Sequence, residues 1–309
     1  MDEGNNDECD HQNAVELAVK PCLAQCVNSD HDNFDHVAKA FHDDGFVVVS
    51  KTIQTNVLGE WHQFGEKYFQ KCFEILHRMG HTRAPNHEIV SQETGNRDYT
   101  LGLGAKHGFR EIVMRSPGRY ELSLLNLDTD RFKTMTSDSP IQVPDTGLIF
   151  SLLEPLLPKL LGPNDSIKLC HLSLLVATPC SVDQGWHADG GHVSLHEHLP
   201  SHCFNAFIPL HDIPLQMGPT EFRPGSHFLT RNLGPMMLAA RCRKTLRAPF
   251  WSGLSMGDLV LFDYRVLHRG RANTTDKNRF VLVCTFCHSW FEDVLNFPKR
   301  SMMDRANTE

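Results

Sequence analysis

Gln184-Gly185-Trp186-His187-Ala188-Asp189-Gly190-Gly191-His192 is the stretch from which the rest of the chain can be read. It sets an imidazole and a carboxylate two residues apart, beside two glycines. In an extended strand residues i and i+2 face the same side, so His187 and Asp189 can converge on one point. One further imidazole would complete the two-His-one-carboxylate face that binds non-haem Fe(II) and leaves coordination positions open. Alone, His-x-Asp is a weak signal. A chain with 19 histidines in 309 residues produces such pairs by chance, for surface or structural reasons.

The second imidazole is offered by His268, in Gly257-Asp258-Leu259-Val260-Leu261-Phe262-Asp263-Tyr264-Arg265-Val266-Leu267-His268-Arg269-Gly270. An apolar strand runs there into a turn and carries the histidine at its end. Eleven residues on, Arg279 opens the next apolar run, Phe280 to Phe286. A returning strand brings this arginine beside the one bearing His268, and a guanidinium there presents a planar fork to a carboxylate. Gly218-Pro219-Thr220-Glu221-Phe222-Arg223-Pro224-Gly225-Ser226-His227 marks a turn between strands.

Upstream the pattern is helical. Ala14 to Val27 reads as a short helix carrying Cys22 and Cys26, which pack. His31 to Phe41 reads as a helix ended by Gly45, followed by the buried strand Phe46 to Val49. Asn56 to Met79 is an amphipathic helix closed by Gly80, its aromatic stripe a core face. Residues 81–140 are irregular, with a strand from Tyr120 to Leu127; Gly102 to Gly108 does not keep dinucleotide-loop spacing. Thr146 to Leu161 is helix broken by Pro155 and Pro158. Ile167 to Ala177, Phe204 to Leu210 and Leu259 to Phe262 are strands. Helices first and strands later, with no linker, predict a mainly β domain buttressed by helices.

Composition is that of an ordinary globular domain, 40% hydrophobic and 22% charged. A net charge of −7 argues against nucleic acid as the main partner. No apolar run spans a membrane, the acidic start is no signal peptide, and Asn307-Thr308-Glu309 is no peroxisomal address. Ten cysteines without a secretory signal read as reduced thiols. The expected location is cytoplasmic.

Taken together, these pieces resemble the phytanoyl-CoA dioxygenase family of Fe(II)/2-oxoglutarate oxygenases. The likeness rests on Trp186-His187-x-Asp189, Pro224-Gly225-Ser226-His227, Gly257-Asp258 before an apolar strand, and His268 with Arg279 eleven residues on. Asn273, Trp290-Phe291, Gly45-Phe46 and Gly118-Arg119 also fit, and the match runs in order over roughly residues 31–300. It implies a double-stranded β-helix (jelly-roll, cupin-like) core, placed at about 120–300. Helical support comes from 31–80, a substrate-side region from 81–140, and 1–30 form a partly disordered tail. It implies metal ligands His187, Asp189 and His268, and Arg279 as partner of the distal carboxylate of 2-oxoglutarate. Asp189 stands where related halogenases have a small residue, so chloride has no vacant position.

The reaction implied is oxidation of an unactivated C–H bond of a small organic molecule, with hydroxylation the expected outcome. Fe(II), 2-oxoglutarate and O2 are consumed or used, succinate and CO2 released, and ascorbate keeps the iron reduced. Gln184 is placed on the cosubstrate side, and Gln184 and His192 are candidates for orienting the imidazoles. Arg115 and Arg119, bracketing Ser116-Pro117-Gly118, are expected to hold an anionic substrate group unless they pair with Glu111 and Glu121. Trp186 and Trp290 are further substrate candidates, Trp186 otherwise packing. Two readings remain beside this one. A non-catalytic sensor would bind 2-oxoglutarate or iron without turnover. A serine hydrolase would use Ser255 in Gly253-Leu254-Ser255-Met256-Gly257, a motif that needs a strand before it and a helix after it. Cys284-Thr285-Phe286-Cys287 lacks the second pair that a structural zinc site needs. Nothing in the sequence selects the substrate or the oligomeric state.

Overall fold

The computed structural model describes residues 23–24, 31–83, 89–91, 101, 103–125, 127, 141–162 and 167–304. Its frame is an eight-stranded sheet in the order β1-β2-β10-β8-β12-β7-β6-β5. The strands are β1 (Leu23–Ala24), β2 (Phe46–Val49), β5 (Ile112–Ser116), β6 (Arg119–Ser123), β7 (Ile167–Ala177), β8 (Cys203–Pro209), β10 (Leu259–Asp263) and β12 (Arg279–His288). All pairings are antiparallel except β1 with β2. A small second layer pairs β9 (Thr220–Phe222) with β11 (His268–Gly270). Single bridges extend that layer from His268 to His187 and from Phe222 to Phe250. A separate hairpin joins β3 (His81–Arg83) and β4 (Ile89–Ser91).

Strand alternation gives the large sheet two different faces. Leu172, Leu174 and Val176 of β7 join Phe280, Leu282 and Cys284 of β12 in a core shared with the helices. Those helices are α1 (His31–Asp44), α2 (Thr55–Arg78), α3 (Gly147–Leu153) and α4 (Leu157–Leu161). In α2 the buried Leu58, Trp61, Phe64, Tyr68, Cys72, Ile75 and Leu76 recur at helical spacing and form the face laid on the sheet. The opposite face sends Val48, Phe207, Val260, Phe262, Val281 and Val283 toward Ile213, Phe222 and Val266. This second core binds the large sheet to the small layer and makes the jelly roll.

Gly45 shows how tightly α1 meets the small layer. Its φ is +81°, and a Cβ there would lie 2.5 Å from His227 Nδ1 and 2.9 Å from Val266 Cγ2. Gly45→Ala is expected to cost about 1–3 kcal/mol, from left-handed strain and overpacking. The urea midpoint should fall accordingly; an unchanged midpoint would contradict this packing.

Several expectations need correction. Leu23–Ala24 form a short strand, not part of a helix, and the rest of 14–27, with the tail from residue 1, lies outside the described residues. The region read as irregular contains the β5–β6 hairpin, turned at Gly118 with φ +75° and built into the main sheet. Its strand ends at Ser123, not Leu127. A helix not anticipated from the sequence, α5 (Leu233–Cys242), carries Pro235 in its first turn, where proline is tolerated. Ser255 sits in a turn that feeds β10 directly, its backbone N–H bonded to Asp258 at 2.8 Å, so no nucleophile elbow exists. Cys284 and Cys287 belong to different clusters and cannot share a zinc ion. No helix among the described residues is long and apolar enough to cross a membrane.

Candidate metal centre

His187 and His268 are brought together by the backbone. His268 N–H donates to His187 O at 2.9 Å and His187 N–H to His268 O at 3.1 Å, which sets the two rings 4.4 Å apart. The strand bearing His268 is held on both sides: Ser226 Oγ accepts from Leu267 N at 2.8 Å, and Gln184 Oε1 accepts from Gly270 N at 3.0 Å. His187 and Asp189 do converge, although the segment is a single bridge and not a regular strand. After Asp189 the chain passes so close to Tyr264 that a Cβ on Gly190 would lie 2.4 Å from the ring. A side chain at 190 would push the Asp189 segment off its seat.

The three donors face one point. His187 Nε2 lies 3.8 Å from Asp189 Oδ1 and His268 Nε2 lies 3.6 Å from Asp189 Oδ2. One ligand atom from each residue falls within 4.8 Å of the others. Each Nδ1–H donates to a backbone carbonyl, His187 to Gly185 at 2.9 Å and His268 to Val266 at 3.1 Å. That fixes the tautomer and leaves both Nε2 lone pairs pointing inward. Burial holds the His268 imidazole below its ordinary pKa against the pull of Asp189, favouring the neutral, ligating form. Two imidazoles and a carboxylate on one side of a cavity could hold a divalent transition metal with open positions.

Asp189 is oriented by groups that sequence reasoning missed. Asn205 Nδ2 donates to Asp189 Oδ2 at 2.7 Å, and Thr285 Oγ1 donates to Asn205 Oδ1 at 2.5 Å. Asn296 Nδ2 donates to the Asp189 carbonyl at 2.9 Å. Asn205 and Thr285 were visible only as polar residues inside apolar runs. Asn205→Ala should weaken metal binding about 10- to 100-fold, as loss of such support does elsewhere. Titration with Fe(II) or Mn(II) measures it, and an unchanged affinity would remove Asn205 from this role.

The donors open on a cavity of about 570 Å³ between the layers. Its wall carries Arg119 and Arg279, which pair in register with the same residue, Ala177, from β6 and β12 respectively. Both therefore project to one face. They are 3% and 5% exposed. Arg279 Nη1 donates to Gly218 O; Arg119 Nη2 donates to Arg271 O, and to Val182 O at 3.2 Å. Arg119 Nε and Nη1 and Arg279 Nε have no partner among the described residues. Burial pulls Arg119 down to about 10, Asp183 opposing, and holds Arg279 well below its ordinary range, with Arg119 adding repulsion. Two buried cations with spare N–H donors are a receptor for an anion.

Other predicted residues distribute differently. Arg115 lines the cavity but its Nε donates to Glu121 at 2.6 Å and its Nη1 to Asn296 O at 2.8 Å. Glu121 also accepts from Ser173 Oγ at 2.7 Å. Glu111 pairs with neither arginine; it accepts from Ser301 and from Met302 N at 3.0 Å. Trp186 is outside the cavity, between the guanidinium groups of Arg223 and Arg269 at 5.0 and 4.8 Å, because its neighbour His187 takes the inner side. Trp290 stands 56% exposed beside His202 and His288, in another pocket. Gln184 lines the cavity and braces Gly270. His192 bonds Thr230, not a candidate ligand. Arg271 pairs with Asp183 and Glu221, lies over Trp251 and does not line the cavity. Tyr264 and Phe297, neither anticipated, also line the cavity.

Among solved structures, AviO1 from Streptomyces viridochromogenes Tue57 is 17% identical over 86% of this chain and 99% of its own, with a TM-score of 0.51. EvdMO1 is 16% identical over 82% of this chain and 49% of its own, also at 0.51. Both likenesses concern the fold. HygX from Streptomyces hygroscopicus, solved with nickel and 2-oxoglutarate bound, is 14% identical over 85% of this chain and 89% of its own, at 0.48. A sequence model of the family described as Phytanoyl-CoA dioxygenase (PhyH) matches residues 41–281, most of the chain and all four of His187, Asp189, His268 and Arg279. With that match the chain belongs to the phytanoyl-CoA dioxygenase family, whose members are non-haem Fe(II)/2-oxoglutarate-dependent enzymes.

Proposed function

We propose that this protein binds Fe(II) through His187, Asp189 and His268 and 2-oxoglutarate in the adjoining cavity, and hydroxylates a small polar molecule with release of succinate and CO2. The observation that carries the reading is the pairing of a three-donor face with two buried arginines that keep N–H donors without a partner among the described residues, all in one cavity. Iron so held supplies the oxidising chemistry toward dioxygen. The chain's own residues bind and orient. Arg279 takes the distal carboxylate of 2-oxoglutarate, and Arg119, in register with it across Ala177, supplies a second cation. On this reading Arg119 serves the cosubstrate and not the substrate. Asn205 and Thr285 hold the Asp189 carboxylate in place as a ligand.

The prime substrate would occupy the space bounded by Arg115, Glu121, Tyr264, Asn296 and Phe297. The Arg115–Glu121 pair and the Asn296 amide make that wall polar, which favours a substrate rich in hydrogen-bonding groups over a long aliphatic chain. Purified protein given Fe(II), ascorbate, 2-oxoglutarate and O2 should form succinate, faster with the right polar substrate. Products would be scored for gain of one oxygen. Cosubstrate binding without succinate from any member of a broad metabolite panel would instead favour a sensor. Arg119→Ala should raise the KM for 2-oxoglutarate about tenfold, one charge-assisted hydrogen bond's worth. An effect confined to the prime substrate would return Arg119 to the substrate side.

A further inference from the structure

Away from the arginines, β12 and β7 lose register between Thr285 and Phe286. Thr285 opposes His171 but Phe286 opposes Leu169, so Cys170 is the extra residue of a β-bulge. A bulge re-aims a side chain. Cys170 accordingly packs with Cys203, Tyr264, Cys287 and Phe291, not with the helix-side core that holds Leu172 and Leu174.

Three free thiols thus meet at one end of the sheet. Cys287 is central: β12 lies between β7 and β8, and Cys203 is its direct partner across the β8 pairing. Cys203 and Cys287 are fully buried, whereas Cys170 is half-buried and open to a small reagent. Hydrogen bonds from Cys170 and Cys203 hold the Cys287 thiol below its ordinary range, while burial raises Cys203. Cys170, although Cys203 pulls it down, is raised by its bond to Cys287 and by burial, so Cys287 is the sulfur that takes a proton from Cys170. The remaining described cysteines do not join this group: Cys180 and Cys242 are exposed, and Cys72 and Cys284 lie in the helix-side core.

The cluster also touches the candidate metal centre. Cys170 Sγ donates to Thr285 O at 3.3 Å, Thr285 Oγ1 bonds Asn205, and Asn205 bonds Asp189. We propose that Cys170, Cys203 and Cys287 are a peroxide-oxidised site, in which a Cys170–Cys287 disulfide forms and loosens Asp189 through Thr285 and Asn205. The second half rests on Asp189 being a metal ligand. In the first step Cys170 passes its proton to the Cys287 sulfur and attacks one oxygen of hydrogen peroxide. The S–O bond forms, the O–O bond breaks, and the displaced hydroxide takes a proton from solvent to leave as water. Cys287 sulfur then attacks the sulfenic sulfur; the S–S bond forms, the S–O bond breaks, and hydroxide leaves as a second water with the Cys287 proton. Two thiols are oxidised and one peroxide reduced. Cys203 remains a thiol and serves as hydrogen-bond donor to Cys287 before the reaction.

The test uses the full, metal-free chain treated with hydrogen peroxide, followed by intact-mass measurement and peptide mapping. Loss of two hydrogens, a Cys170–Cys287 crosslink, reversal by dithiothreitol and absence of the crosslink in Cys170→Ser are expected. Anaerobic Fe(II) titration of the oxidised protein should show affinity lower by about tenfold, restored on reduction. Oxygen addition without a crosslink, or a crosslink to Cys180 or Cys242, overturns the thiol site. A Cys170–Cys287 crosslink with unchanged Fe(II) affinity overturns its link to Asp189. If the reduced protein holds no Fe(II) while the crosslink forms, the metal reading fails and the thiol site stands.

Discussion

His268→Ala should bind no Fe(II) at concentrations that saturate the parent protein, and its 2-oxoglutarate turnover should fall by at least about a thousandfold. His268 is the most buried of the three donors, and its ring is held by Val266 O on one side and the His187 bridge on the other. Removing it leaves His187 and Asp189, both more exposed, as a two-donor site. Two donors hold a labile divalent ion poorly, and bound iron would supply the oxidising chemistry on which turnover depends. His187→Ala should behave similarly. Metal analysis after desalting checks this directly, and full iron retention in both variants would sink the three-residue assignment. Circular dichroism and the urea midpoint should stay near those of the parent, separating metal loss from unfolding.

Arg279→Ala should raise the KM for 2-oxoglutarate about a hundredfold, with a much smaller change for the prime substrate. The guanidinium is 5% exposed, and burial disfavours its charge unless an anion arrives. Two charge-assisted hydrogen bonds to a desolvated carboxylate are together worth about 3 kcal/mol, or about two powers of ten in affinity. Arg279→Lys should recover only part, since an ammonium offers no planar fork. An unchanged cosubstrate KM would place the anchor elsewhere. Arg271 would then be a poor substitute, because Asp183 and Glu221 already neutralise it.

The sequence was most legible where chemistry is compressed into a short segment. His187 and Asp189 are two residues apart, so their convergence follows from local geometry. Arg279, expected on a strand beside that of His268, instead opens β12 of the large sheet while His268 opens β11 of the small layer; they share only the cavity between the layers. The long helix α2 and the strand β7 were equally plain, since each carries an unbroken apolar period. Features set by register were not legible. Arg119 meets Arg279 because both oppose Ala177, a pairing across three strands that spacing alone does not reveal. Asn205, Thr285 and Asn296 come from separate segments and touch Asp189 only after the layers close. Trp186 takes the packing role given as its alternative, for a reason the sequence did contain: beside an inward His187 its side chain turns outward. Trp290 is separated from the cavity by the course of the chain after β12, which no motif reports.

The most direct test is a crystal structure of the protein loaded anaerobically with Fe(II) and 2-oxoglutarate, with anomalous data at the iron edge. One strong anomalous peak is expected within coordination distance of His187 Nε2, His268 Nε2 and an Asp189 carboxylate oxygen. 2-Oxoglutarate should chelate that ion, with its distal carboxylate against Arg279 and Arg119. A peak on any other set of residues, or a distal carboxylate that meets neither arginine, would contradict this assignment.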